Sequence, residues 1–144
     1  MIQIMIASAA ALLPALVLMA EPARAADEFP SVLTCTFRSG QNLTYSGGRF
    51  RAAPAKPLSF EIGDIDLERQ SAALLTPAGK GQLRVVRAIN ANHFLEVVAE
   101  GFINMTTIYD LDASRGAFPA VHSRHFGLLG QPVVAQYRGF CKAK

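Results

Sequence analysis

Short runs of β-type residues recur along most of this chain, and they constrain its fold more than any other feature. Val, Ile, Phe, Tyr and Thr are concentrated in these runs, and Gly, Pro, Asn or Asp separate them. The clearest pair, Gln82–Ile89 and His93–Glu100, predicts a hairpin. No window shows a sustained apolar stripe with the period of a helix. The sequence therefore predicts an all-β domain of about eight antiparallel strands, either a small barrel or a sandwich.

The first half of the predicted domain contains several turn signals. A first strand over Ser31–Arg38 is expected to end at a polar turn, Ser39–Asn42. Gly47–Gly48 predicts a hairpin turn, and Ala52–Pro57 predicts a loop. The segment Asp64–Gln70 fits either a short helical turn or another strand.

The two cysteines of the chain lie near the two ends of the predicted domain. In an exported protein, Cys35 and Cys141 are expected to form one disulfide, which would close a loop of roughly 100 residues and contribute about 4 to 5 kcal/mol in the chain-entropy model. A redox or metal pair is the alternative, but there is no C-x-x-C motif and no His at ligand spacing. A bridge at this position suits a closed barrel, because it would hold the first and last strands together.

The first 25 residues have the layout of a secretory signal peptide. The run Ile4–Met19 is almost wholly apolar, and Ala23–Ala25 supplies a small-residue cleavage motif. A retained membrane anchor is the competing interpretation, but Pro14 interrupts a run shorter than the roughly 20 residues of a spanning helix. We predict cleavage before Ala26, which leaves residues 26–144 as one β domain, without a transmembrane anchor, in the periplasm or outside the cell.

The charge balance is mildly basic, with 14 Lys and Arg against 11 Asp and Glu and a formal net charge of +3. The basic residues are scattered along the sequence, and no run is typical of a nucleic-acid-binding patch. We therefore predict no nucleic-acid partner. A charge of this size is ordinary for solubility, and it would also suit an anionic envelope surface.

The densest polar cluster is His122-Ser123-Arg124-His125, and it makes His122, Arg124 and His125 the candidate functional residues. Side chains alternate on a strand, so His122 and Arg124 should share one face and His125 the other. The two histidines could meet at one metal ion only across a bulge. A buried, hydrogen-bonded His122 is therefore favoured over a ligand or catalytic role.

Other chemistry has little support in the sequence. There is no G-x-S-x-G elbow, no phosphate loop and no Ca²⁺-binding loop. We therefore assign no catalytic residue, no metal ligand and no cofactor.

Aromatic and apolar residues raise the question of what fills the interior. Small barrels are usually filled by their own side chains, although some hold one small ligand. A filled interior is favoured, and a pocket for a lipid-like ligand is the alternative. The aromatic residues expected inside are Phe60, Phe94, Phe102, Phe118 and Tyr137.

A second apolar feature is the segment Phe126–Gln131, which is predicted to be a loop between the last two strands. Phe126, Leu128 and Leu129 are unusually large and apolar for a loop tip. They either fold back over the end of the barrel or form a contact surface, and Ala52–Pro57 is a second candidate contact loop.

The segment Phe118–Cys141, in which H-S-R-H is followed by Q-Y-x-G-x-C, resembles the C-terminal part of small exported proteins of alphaproteobacterial type. In those proteins Cys35, Thr106–Tyr109, His122–Arg124 and Gln136–Cys141 recur. The resemblance covers most of the predicted mature chain. It implies export and a disulfide, and it implies no particular activity.

A weaker similarity is to the periplasmic inhibitors of C-type lysozyme, which are also small disulfide-bonded β-barrels. Their Ser/Gly-rich inhibitory loop is not matched, since Tyr45–Gly48 lies in a different place. The sequence pI of about 9.1 also disfavours a basic lysozyme as partner.

These observations predict a non-enzymatic binding or interaction module, whose partner would be a small apolar ligand or an envelope component. The alternatives are a small metal-dependent or hydrolytic enzyme that uses His122, Arg124 and His125, and a structural protein associated with the envelope.

Overall fold

A computed structural model describes residues 29–98, 101–128 and 130–144 of the chain. The predicted signal peptide, residues 1–25, lies outside the described residues. Nine β-strands form the described part. They are β1 (Leu33–Ser46), β2 (Arg49–Pro54), β3 (Leu58–Asp66), β4 (Ser71–Thr76), β5 (Gly79–Arg87), β6 (Ala91–Val97), β7 (Ile103–Tyr109), β8 (Phe118–Leu128) and β9 (Gln131–Ala143).

The strands form a closed antiparallel barrel with one extra strand. Each of β3 to β8 pairs with the next strand in the chain, and β9 returns to pair with β1, which also pairs with β3. β2 pairs with the C-terminal part of β1, residues 41–46, and is the ninth strand, outside the closed ring of eight. The prediction of a small all-β domain is confirmed, and of its two alternatives the structure is the barrel. Closure satisfies the backbone hydrogen bonds that the edges of an open sheet would leave unpaired.

The contact between β1 and β9 is the seam of the barrel, and the predicted disulfide lies directly across it. Cys35 and Cys141 are opposite each other in the register and form the bridge, which closes a sequence separation of 106 residues. The prediction of a Cys35–Cys141 disulfide is therefore confirmed. The β1–β9 register shifts between Thr36 and Ser39, which marks a bulge beside the bridge. Gly139 lies against this bulge, so close to the Thr36 carbonyl oxygen that a Cβ atom could not be accommodated.

One predicted turn and parts of two predicted loops proved to be strand. Residues 39–42 continue β1, because they pair with β9, and Gln41 and Asn42 also pair with β2. Ala52 to Pro54 belong to β2, so only residues 55–57 connect it to β3. Phe126, Gly127 and Leu128 pair with β9 as part of β8. In each case backbone pairing with a neighbouring strand overrides the local preference of polar residues, glycine or proline for turns and loops.

Other local predictions agree with the structure. Gly47 and Gly48 both have positive φ angles and form the turn between β1 and β2. The ambiguous segment Asp64–Gln70 divides between the end of β3 and a turn, in which Gln70 has a positive φ.

The core lies inside the barrel and is built from alternate residues of the strands. Phe37, Phe94 and Ile108 are fully or almost fully buried, and each contributes roughly 1.5 to 3 kcal/mol relative to an exposed position. Phe29 extends this core, since its ring lies 5.5 Å from that of Phe118. Of the five aromatic residues expected inside, Phe102 is the exception, because 36% of its surface is exposed.

Candidate functional site

The structure separates the predicted cluster onto two faces of β8. His122 is buried, Arg124 is half-buried and His125 is exposed. β8 pairs with both β7 and β9 without a register shift, so no bulge brings the two histidines together. Side-chain alternation then directs His122 and Arg124 inward and His125 outward.

His122 lies in an aromatic part of the core. Its ring centroid is 5.1 Å from that of Phe60 and 5.8 Å from those of Phe37 and Tyr137. Both ring nitrogens have partners: Nδ1 is 2.9 Å from Thr106 Oγ1, and Nε2 accepts a hydrogen bond of 3.2 Å from Arg124 Nε. Since Nε2 is the acceptor, the proton of the neutral ring is on Nδ1, which donates to Thr106.

Burial and the charge of Arg124 lower the pKa of His122 to about 4. The imidazole is therefore neutral at physiological pH. A general base needs a pKa near the operating pH and a nitrogen that can reach the substrate, and His122 has neither. The geometry gives His122 a different role, which is to hold the Arg124 side chain through Nε.

The Arg124 side chain lines the barrel interior. Its guanidinium carbon lies 5.8 Å from the centre of the Tyr137 ring. No carboxylate of residues 29–98, 101–128 and 130–144 lies within ion-pair distance of Arg124. The planar guanidinium carries five N–H donors, of which His122 uses one.

A cavity of about 230 Å³ lies inside the barrel beside Arg124. One part of its wall is apolar and the other part is polar, so the lining suits an amphipathic molecule. The apolar part comes from Leu58, Phe60, Ile62, Leu74, Leu83 and Phe94 on β3 to β6. The polar part includes Glu96, Asn104, Thr106, His122 and Arg124 on β6 to β8.

The polar residues form two ladders across neighbouring strands. Glu96 is opposite Asn104, which is opposite Arg124, and Asn104 Nδ2 donates a hydrogen bond of 2.7 Å to Glu96 Oε2. In the next row, Thr106 is opposite His122. The hydrogen bonds within each row fix these side chains and so define the shape of the polar wall.

Sequence reasoning missed Glu96, Asn104 and Thr106. The hairpin pattern alone favours a solvent-facing Glu96 that pairs across the strands with Arg84 or Arg87. The structure contradicts this prediction, because Arg84 is opposite Leu95, Arg87 is opposite Asn92, and Glu96 lines the cavity. The alternation rule contained the correct signal: Phe94 faces the core, so Glu96, two residues later, faces the same way.

The predicted apolar contact segment is only partly described. Phe126 is half-buried, and its ring lies 5.3 Å from that of Phe102. Leu128 belongs to β8 and Leu129 lies outside the described residues. Phe126 is two residues beyond Arg124 on β8, and Phe102 directly precedes β7, so this pair lies past the cavity, where the Phe102 ring stays partly exposed.

Metal chemistry finds no support in the described residues, where no three His, Cys, Asp or Glu side chains are grouped as metal ligands. Within the same part of the chain, no helix is both long and apolar enough to cross a membrane. No family model matches the chain, and no curated protein matches it significantly.

Proposed function

We propose that this protein is an exported, non-enzymatic β-barrel that binds a small amphipathic molecule inside its barrel. The observation that carries the proposal is the interior cavity with one apolar and one polar wall. Ligand sites are commonly apolar enclosures with a few placed polar groups, and this cavity has that composition. Its volume of about 230 Å³ exceeds the roughly 150 Å³ of an apolar cavity that accepts benzene.

The polar wall favours a ligand whose head group accepts hydrogen bonds. Arg124 is held at Nε by His122 and keeps its other donors available, whereas Glu96 Oε2 already accepts from Asn104. A carboxylate is the simplest group that fits a guanidinium, because it can accept two parallel hydrogen bonds. The apolar wall then takes a short hydrocarbon tail.

The environments of the two candidate histidines support binding over catalysis. His122 has a depressed pKa and both nitrogens engaged, and His125 is on the opposite face. The enzyme alternative required these two histidines to converge, and the register of β8 keeps them apart.

Calorimetric titration with octanoate tests the cavity. We expect the mature chain to bind octanoate, with 1-octanol and octylammonium binding at least tenfold more weakly. Arg124→Gln should weaken octanoate binding by about tenfold, since a charge-assisted pair is lost. Arg84→Gln, an exposed substitution outside the cavity, is the control and should leave binding unchanged.

Two results would overturn this assignment. If none of the three probes binds, the cavity is only a packing feature. If octylammonium binds best, Glu96 rather than Arg124 is the anchor for the head group. A melting curve of Arg124→Gln separates loss of the anchor from loss of the fold.

Export is supported by the sequence of residues 1–25 and by the resemblance to small exported proteins. Expression of the full chain in a bacterial host should give a periplasmic product that starts at Ala26. Its mass should be two hydrogens below that of the reduced chain. An uncleaved product in the cytoplasm would contradict this part of the proposal.

A further inference from the structure

Two long segments of the chain contain no acidic residue: residues 29–60, which directly follow Asp27 and Glu28, and residues 113–144. Residues 29–60 contain four Lys and Arg and no Asp or Glu, and residues 113–144 contain five Lys and Arg and again no Asp or Glu. The segment between them, residues 61–112, contains eight acidic and four basic residues. Because β1 pairs with β9, the barrel brings the two acid-free segments together. We call β1, β2, β8 and β9 the seam side and β3 to β7 the far side.

The outer face of the seam side contains a groove of about 810 Å³. β1 and β9 form its floor, and the connection between β7 and β8 contributes Arg115 and Ala117 to its wall. Four cationic side chains line it: Arg38, Arg115, Arg138 and Lys142. The hydroxyls of Thr34, Thr36 and Ser39 and the ring of Phe140 complete the lining.

Three of the four cations are uncompensated. Arg38, Arg138 and Lys142 are exposed, and no carboxylate of residues 29–98, 101–128 and 130–144 lies within ion-pair distance of them. Arg115 is the exception, because its Nε lies 3.5 Å from Asp112 and its guanidinium lies 5.0 Å from the centre of the Phe140 ring.

The acidic groups beside the groove are already engaged. Glu61, which is opposite Thr34, accepts hydrogen bonds of 2.9 and 3.1 Å from Lys144 Nζ. Asp112 accepts hydrogen bonds from the backbone and side chain of Ser114. Neither pairs with Arg38, Arg138 or Lys142, so the groove keeps a surplus of positive charge at neutral pH.

We propose that this groove binds a carboxylated glycan chain. The uncompensated cations would pair with carboxylates spaced along the glycan. Thr34 Oγ1 already donates to Glu61 and Thr36 Oγ1 lies 3.4 Å from Ser59 Oγ, so these hydroxyls would serve mainly as acceptors for sugar hydroxyls. Phe140, with 38% of its surface exposed, offers an apolar surface for a sugar ring.

The shape and composition of the groove favour this partner over two other polyanions. A flat anionic membrane would meet a concave surface poorly, because the cations line the walls of a groove. Single-stranded nucleic acid is usually held by several aromatic residues that stack on successive bases, and the groove has one. The site lies on the outer face of the barrel, so it is independent of the interior cavity.

Binding of oligogalacturonate, measured by fluorescence anisotropy at low salt, tests the proposal. We expect the double variant Arg38→Gln/Arg138→Gln to weaken binding at least tenfold and to reduce its salt dependence. The control is Arg84→Gln/Arg87→Gln on the far side, which removes the same charge and should change binding less than twofold. Neutral dextran of the same length should not bind.

Four outcomes would overturn the proposal. These are no binding of oligogalacturonate, equal weakening by the two double variants, tighter binding of oligothymidylate, and tighter binding of phosphatidylglycerol vesicles. Equal weakening would mean that only net charge matters. The last two would assign the groove to nucleic acid or to a lipid surface. Octanoate binding in the same samples reports on the interior cavity separately.

Discussion

The seam side and the far side of the barrel differ in strand length, in charge and in how they are held together. On the seam side β1, β8 and β9 run for 14, 11 and 13 residues, whereas no strand of the far side exceeds nine. The seam side carries the disulfide, and the far side carries exposed ion pairs such as Arg87–Glu68 and Lys80–Asp64. Both sides are held by core packing, to which the seam side adds a covalent bridge and the far side adds weak surface electrostatics.

This difference shows how the barrel tolerates an unbalanced surface. Like charges that are gathered on one face repel each other and reduce stability. A covalent bridge across β1 and β9 offsets that repulsion at the strands where closure is required. The far side has compensating carboxylates and contains no bridge.

Removal of the disulfide should have the largest effect. We expect Cys35→Ala/Cys141→Ala to lose about 4 kcal/mol of unfolding free energy and to lower the melting temperature by roughly 15 °C or more, because a loop of 106 residues is released. Ile62→Val, a core change on β3 of the far side, should cost about 1 kcal/mol. Thermal unfolding followed by circular dichroism measures both effects. Equal melting temperatures for the two variants would contradict the prediction that the disulfide stabilises the barrel more than a single core methyl group on the far side does.

Gly139→Ala should be the next most severe change. A Cβ at this position would collide with the Thr36 carbonyl oxygen, which is backbone and cannot rotate away, so we expect a loss of about 3 kcal/mol. On the far side, a Cβ at Gly81 would lie 3.1 Å from Glu96 Oε1, a side-chain atom that can move. Gly81→Ala should therefore cost about 1 kcal/mol or less. Urea denaturation of both variants compares the two losses of unfolding free energy. Similar midpoints would show that the bulge at the seam is not tightly packed.

Lowering the pH should decrease the unfolding free energy, because His122 on the seam side is held neutral in the folded protein. The pKa of this residue is about 4 in the folded protein and near 6.5 in the unfolded chain, so unfolding is coupled to proton uptake between these values. The stabilising contribution of neutral His122 is complete above about pH 6.5 and is lost as the pH falls towards 4, by roughly 2 to 3 kcal/mol. His122→Gln, which stays neutral, should flatten this part of the stability profile.

The exposed His125→Gln variant provides the matched control for that pH experiment. It changes the same residue type on the outer face of the same strand, and it should keep the wild-type pH dependence. If His122→Gln and His125→Gln give the same profile, the buried histidine is not the source of the acid sensitivity.

Surface charge substitutions should have the smallest effects, and their signs should differ between the two sides. Lys142→Glu on the seam side relieves repulsion and should raise unfolding free energy by a few tenths of a kcal/mol at low salt. Lys80→Glu on the far side breaks the pair with Asp64 and should lower it by a similar amount. Both effects should shrink in about 1 M salt, where the Debye length is about 3 Å. If both substitutions changed the unfolding free energy in the same direction, the predicted difference in surface charge between the seam side and the far side would be contradicted.

Local sequence rules predicted much of the fold and less of the site. Gly47–Gly48 marks its hairpin because two successive positive φ angles favour glycine. Alternation correctly placed His122 and His125 on opposite faces of one strand. The polar turn expected at Ser39–Asn42 was wrong, because pairing with two neighbouring strands was not visible in the local sequence. Glu96 was assigned to solvent for a related reason, since its inward partner Asn104 comes from another strand.

The sequence by itself determined an all-β chain, one disulfide between residues near the ends of the β domain, and a hydrophobic alternation that requires an interior. These properties depend on residue type and on spacing within a single strand. Only the tertiary structure decided that the sheet closes, that Glu96, Asn104 and Arg124 share a cavity wall, and that the scattered basic residues gather on one side. Those properties depend on which strands become neighbours, and closure brings together strands that lie about 100 residues apart in the chain.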